Sequence, residues 1–176
     1  MSAGFAFNDG GRAAAGFKGS AGDCVTRAVA IATGQPYADV YAALSKGTRC
    51  QRLTKRSKAK ASARNGVNVQ RKWFKDYMAS LGWTWVPTMG IGTGCTVHLV
   101  ADELPAGRLI VAVSKHYTTM IDGVIHDTFD PRRDVHCTES YHGQEIKPGR
   151  RLHPKGDIVC WIERRCVYGY WTQVKA

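Results

Sequence analysis

No run of about 18 apolar residues, the least that spans a bilayer as a helix, occurs anywhere in the sequence. The opening stretch MSAGFAFNDGGRAAAG also lacks the charged start and apolar middle of a secretory signal. A soluble, cytoplasmic protein with no membrane partner is expected. Without an export signal the six cysteines are expected to stay reduced, and no paired Cys-x-x-Cys knuckles argue for another use. Cys95, His98, His136 and Cys137 supply four atoms of the right kind for zinc, but their spacing is not that of a zinc site, and no metal is assigned. Acidic residues are absent from one long stretch: residues 46–72 hold ten Lys and Arg and no Asp or Glu. The other 15 basic and 14 acidic groups nearly cancel, so the net charge of +11 belongs almost entirely to that segment.

What is present suffices for one domain, residues 1–176, since 176 residues at 44% hydrophobic content can bury a core. Few large apolar residues lie between Leu53 and Val67, and residues 46–66 read as an exposed, flexible basic insertion. Weak nucleic acid binding through residues 46–72 follows from clustered charge alone, without any base-reading motif. Val25, Ala28, Val29 and Ala32 recur at helical spacing, with Asp23 as N-cap and Gly34 as stop, so a first helix begins at Cys24. Pro36 opens a second helix through Ser45, and Val69, Trp73, Tyr77 and Leu81 align on a third from about Asn68. From Trp83 onward the texture becomes short β-branched and aromatic runs separated by turn residues, which predicts strands. Helices first and strands afterwards give an α+β fold, N-terminal helices packed on a C-terminal antiparallel sheet.

The sharpest local signal is KHYTTMIDGVIHDTFDP, where Asp122 and Gly123 predict a two-residue hairpin turn. Ile121 then faces Val124 and Thr119 faces His126, which puts His116 and Asp127 on one face as diagonal neighbours. Cys24 at a helix start, His116 on a strand and Asp127 one strand over make a nucleophile, a base and an orienter. Free amides and partial positive charge at a helix start favour a thiolate and can hold an oxyanion. Set against this, a small cysteine under a helix is usually packing, and so are Trp83, Trp85 and the alternating VYGYW of residues 167–171. His98 is a second candidate base, but no carboxylate follows it at hairpin spacing.

In this order these residues resemble the papain-like cysteine peptidases, in which a Cys opens the central helix and His and Asn or Asp follow on the sheet. GDC at residues 22–24 is similar to the start of the catalytic helix in bacterial leader-peptide-processing members, and DTF at 127–129 to the papain-type NSW. The chain is also similar to short proteins of tailed phages and bacteria that carry DCVTRA, a His-led strand and a terminal VYGYW. The resemblance implies a papain-like fold, a Cys24, His116, Asp127 triad, a protein or peptide substrate, no cofactor, and work in a host cytoplasm or a virion. Lys18 stands where such enzymes commonly carry an oxyanion-hole Gln, and Lys18, Ser20 and Asn8 are the candidates to replace it. Two readings remain: a cysteine hydrolase, acting on a peptide or isopeptide bond through an acyl-enzyme, and an inactive scaffold that binds nucleic acid or an acidic partner through the basic arm. The sequence does not specify an oligomeric state.

Overall fold

A computed structural model describes residues 3–51, 62–132 and 164–173, together with the strand backbones at 136–141, 144–145 and 157–161. The chain forms two compact units, one of Met1–Pro131 with Cys166–Ala176 and one of Arg132–Arg165. The first is mixed α+β. Its helices are α1 (Cys24–Thr33), α2 (Tyr37–Arg49) and α3 (Lys72–Ser80), and its strands are β1 (Gly4–Phe7), β2 (Trp83–Pro87), β3 (Arg108–Val113), β4 (His116–Ile121), β5 (Val124–Asp127) and β9 (Val167–Gln173). The second unit holds β6 (His136–Tyr141), β7 (Gln144–Glu145) and β8 (Asp157–Trp161) in a separate antiparallel sheet of order β7-β6-β8. No helix among the described residues is long and apolar enough to cross a membrane.

The six strands of the first unit run in the order β1-β5-β4-β3-β9-β2. The expectation of one antiparallel sheet is corrected twice: β8 belongs to the separate sheet, and β1 pairs with β5 in parallel, Phe7 opposite Asp127. The hairpin register matches the expected one, with Ile121 opposite Val124 and Thr119 opposite His126. Asp122 at φ 47° and Gly123 at φ 80° both take the left-handed backbone that a two-residue primed turn requires.

α1 stops at Gly34, whose φ of 72° lets its amide reach the Ala30 carbonyl at 2.9 Å. Its apolar residues Val25, Ala28, Val29 and Ala32 join Val40 and Leu44 of α2, Phe74 and Met78 of α3, and Trp83, Ile110 and Trp171 of the sheet in one core cluster. The third helix starts at Lys72 rather than Asn68, because the Asn68 side chain takes the Gln70 amide in a turn at 3.1 Å. Its deepest residues are Phe74 and Met78, while Trp73 and Tyr77 pack only partly buried. Leu109, Val111 and Val113 alternate out of that core into a second cluster with Leu99, Leu104, Met120 and Ile125. β3 is therefore buried on both faces, which makes it a rigid base for β4 and its histidine.

The basic segment leaves and rejoins this unit through packed residues. α2 continues to Arg49 with Thr48 buried, and Ala63, fully buried, donates its amide to Ser45 Oγ at 3.0 Å. Residues 52–61 of the proposed insertion lie outside the described residues.

Candidate active site

Three elements converge on Cys24. It is the first residue of α1, half-buried, and no side chain caps the helix ahead of it. Asp23 does not act as the expected N-cap: it is fully buried, and its carboxylate turns to other partners. Helix and sheet are tied where Thr119 of β4 donates its hydroxyl to the Ala28 carbonyl at 2.9 Å. His116 opens β4 directly after a tight turn in which Lys115 takes φ 56°. Asp127 closes β5, held on its far side by the Asn8 amide on its carbonyl at 2.9 Å.

The structure brings Cys24, His116 and Asp127 together. His116 Nε2 and Asp127 Oδ2 are 2.7 Å apart, and the His116 ring and the Tyr117 backbone are close enough to the Cys24 sulfur to lower its thiol. With Nε2 committed to the carboxylate, Nδ1 is the nitrogen available to the thiol. The Thr128 amide donates to Asp127 Oδ1 at 2.7 Å, so each oxygen of this carboxylate has a hydrogen-bond donor. Phe129 packs its ring on His116 at 4.9 Å between centroids.

Burial pushes the Cys24 thiol up, but hydrogen bonds from His116 and Tyr117 and the charges of His116 and Arg27 outweigh it and hold the thiol below its ordinary value. Burial lowers His116, while Asp127 and Cys24 raise it further, to about 9. Burial raises Asp127, and its bond to His116, the imidazolium charge and the Thr128 amide bring it below the usual carboxylate value. Tyr117 is pushed up to about 12, by burial and then by the charge of Cys24. The three shifts act together, each favouring the charged form, so that thiolate, imidazolium and carboxylate support one another in a row.

The candidate oxyanion donors are not drawn in. No hydrogen bond links Lys18, Ser20 or Asn8 to Cys24 among the described residues. Lys18 and Ser20 are exposed, their carbonyls accepting from Arg12 and Arg64 at 3.2 Å each, and Asn8 Oδ1 accepts the Gly10 amide at 2.8 Å. His98 is paired elsewhere, its Nδ1 2.9 Å from Glu103 Oε2. Cys95 is bonded to Cys166, which corrects the expectation of reduced thiols and removes Cys95 from any zinc set. These two cysteines are 71 residues apart, and the isolated bridge between His98 and Cys166 is what brings them together. The side chains of His136 and Cys137 lie outside the described residues. Among the described residues no three His, Cys, Asp or Glu side chains are grouped to hold a metal.

Arg27, Arg12, Tyr37 and Tyr117 are site residues that sequence reasoning did not single out. Asp23 and Arg27 stand at i and i+4, the spacing of a helical ion pair, and that signal was available. Tyr117 reaches from the sulfur into a small cleft that it lines with Val69, Gln70, Lys75, Trp85 and Trp171. The chain matches no family model, no curated protein and no solved structure.

Proposed function

We propose that this protein is a cysteine hydrolase of papain-like type, a peptidase or isopeptidase that works through an acyl-enzyme. The observation that carries this reading is a histidine 2.7 Å from a buried carboxylate and beside a helix-opening cysteine, whose thiol it lowers. The Cys24 thiolate attacks the amide carbonyl, and the electron pair of that double bond moves to oxygen. The oxyanion faces the amides at the uncapped start of α1, with the Cys24 N–H the nearest in the chain. Collapse of the adduct breaks the C–N bond, and His116 gives its Nδ1 proton to the departing amine, leaving a thioester and a neutral imidazole. Water then loses a proton to His116 as it attacks the thioester, and the carboxylic acid departs as the thiolate and imidazolium re-form. Asp127 keeps the ring oriented through both halves and stays ionised. The resemblance of GDC and DTF to papain-type motifs agrees with this assignment.

The experiment is digestion of a complex peptide library, read by mass spectrometry for new N-termini. Termini that appear with the protein and vanish with Cys24→Ala and with His116→Ala are expected. A digest identical to that of a folded Cys24→Ala variant would overturn the hydrolase reading and leave the scaffold reading standing.

A further inference from the structure

The residue before the nucleophile is a fully buried carboxylate. Asp23 accepts hydrogen bonds from Arg27 Nη1 on Oδ1 and from the Tyr37 hydroxyl on Oδ2, and it is ion-paired with Arg12, whose Nε lies 3.0 Å from Oδ2. Arg27 is itself 8% exposed, and its other terminal nitrogen, Nη2, lies 3.9 Å from Asp127 Oδ1. One guanidinium thus links the carboxylate beside the nucleophile to the carboxylate that orients the base. Arg27 also stands one helical turn after Cys24, on the same side of α1. A planar, permanently charged fork can serve two carboxylates at once, whereas an ammonium acts as a point charge.

Charge counting gives the link a purpose. Arg12 and Arg27 balance Asp23 and Asp127, so the thiolate and imidazolium form a neutral pair inside a neutral surround. Without Arg27 the buried group carries one excess negative charge next to Cys24, which opposes a second anion there. Among the described residues, Tyr117 of β4 also faces the sulfur and Tyr37 of α2 faces Asp23, both protonated at neutral pH, while Arg108 of β3 is engaged with the Ile31 and Ala32 carbonyls at the far end of α1.

We propose that Arg27 is a positioning residue of the site, which ties Asp127 to the buried Asp23 and by its charge holds Cys24 as a thiolate. This rests on the reading of Cys24 as an activated nucleophile. The charge of Arg27 lowers the Cys24 thiol in the same sense as that of His116.

The test is the pH dependence of Cys24 alkylation by iodoacetamide, with thermal melting to establish that each variant is folded. Wild-type labelling should reach half its plateau below pH ~8.5, the value of a free thiol. Arg27→Met should move that midpoint up by about one pH unit, a roughly tenfold loss of labelling well below it. Arg27→Lys should recover most of the shift, and Asp23→Asn, which removes a negative charge instead, should move the midpoint down. A merely structural Arg27 would lower melting without moving the midpoint, and that result in a folded Arg27→Met variant overturns the proposal. So does a Lys variant no better than Met, or an upward shift in Asp23→Asn should the Met variant fail to fold. An unreactive wild-type Cys24 sinks the nucleophile reading itself, whereas a reactive one indifferent to Arg27 sinks only this inference.

Discussion

Asp127 has one oxygen on the His116 ring and the other on the Thr128 amide with Arg27 beyond, and all three contacts favour its charged form. Its folded-state value lies below the ordinary 3.8, so the stability it contributes is present above that value and is lost as pH falls through the folded one. Urea midpoints taken from about pH 5 down to about pH 3 should therefore fall, and Asp127→Asn should flatten part of that slope. At neutral pH the same substitution should cost about 1–3 kcal/mol, because a buried histidine loses a charged partner. Equal acid slopes in the two proteins would mean that the carboxylate is not held by these contacts. His116, raised to about 9, sets the alkaline limit: peptide cleavage should decline above that pH, once the ring no longer carries the proton the leaving amine needs. Cys24, His116 and Asp127 were legible because a helix start and the parity of a two-residue hairpin are local rules. Arg12 and Tyr37 were not, since only folding brings them to Asp23 from 11 residues before it and 14 after. Lys18 was chosen by its offset from Cys24, and an offset along an exposed loop does not fix where a side chain points.

At the scale of elements, β2 and β9 are locked by one close approach. A Cβ placed on Gly169 would lie 2.3 Å from Trp85 Cζ2 and 2.7 Å from the Val86 carbonyl oxygen, distances that real atoms do not tolerate. Gly169→Ala should therefore displace the Trp85 ring from Trp171, where the centroids are 5.4 Å apart, and cost about 1–3 kcal/mol by overpacking. Denaturant unfolding with near-ultraviolet circular dichroism reads both effects, and an unchanged aromatic signal would show that the strands do not pack this way. The Asp122-Gly123 hairpin was readable because its turn requires those residue types. β1 was not: its four residues GFAF show no strand-length alternation, and its parallel partner β5 lies 120 residues downstream, Gly4 opposite Val124. The inner face of α3 came out one position away, since Trp73 and Phe74 are both apolar and periodicity alone does not choose between them.

Across the whole molecule two features remain, a covalent link and a charge excess. The Cys95–Cys166 bond closes a loop of 71 residues, and losing it as Cys166→Ser should cost about 2–4 kcal/mol, read as a drop in urea midpoint. A variant as stable as the wild type would mean the link does not constrain the chain. The charge of residues 46–72 supports only sequence-independent nucleic acid binding, which filter assays should detect at about 50 mM salt and lose by about 200 mM. Binding that survives high salt and deletion of residues 52–61 would contradict that view and favour the scaffold reading. The α+β class was legible in the order of textures along the chain. The parallel edge strand and the second sheet were not, because they depend on pairings distant in sequence.

The most direct test of Cys24 as an activated nucleophile requires no knowledge of the substrate. Brief iodoacetamide treatment of the folded, unreduced protein near neutral pH, followed by site-resolved mass spectrometry, compares Cys24 with Cys50, an exposed free thiol in the same molecule. Cys24 should label about tenfold faster or more, and His116→Ala should remove most of that advantage at pH ~6–7, while Asp127→Asn should remove less. A Cys24 that labels no faster than Cys50, or only after denaturation, is a structural thiol, and the hydrolase reading falls with it.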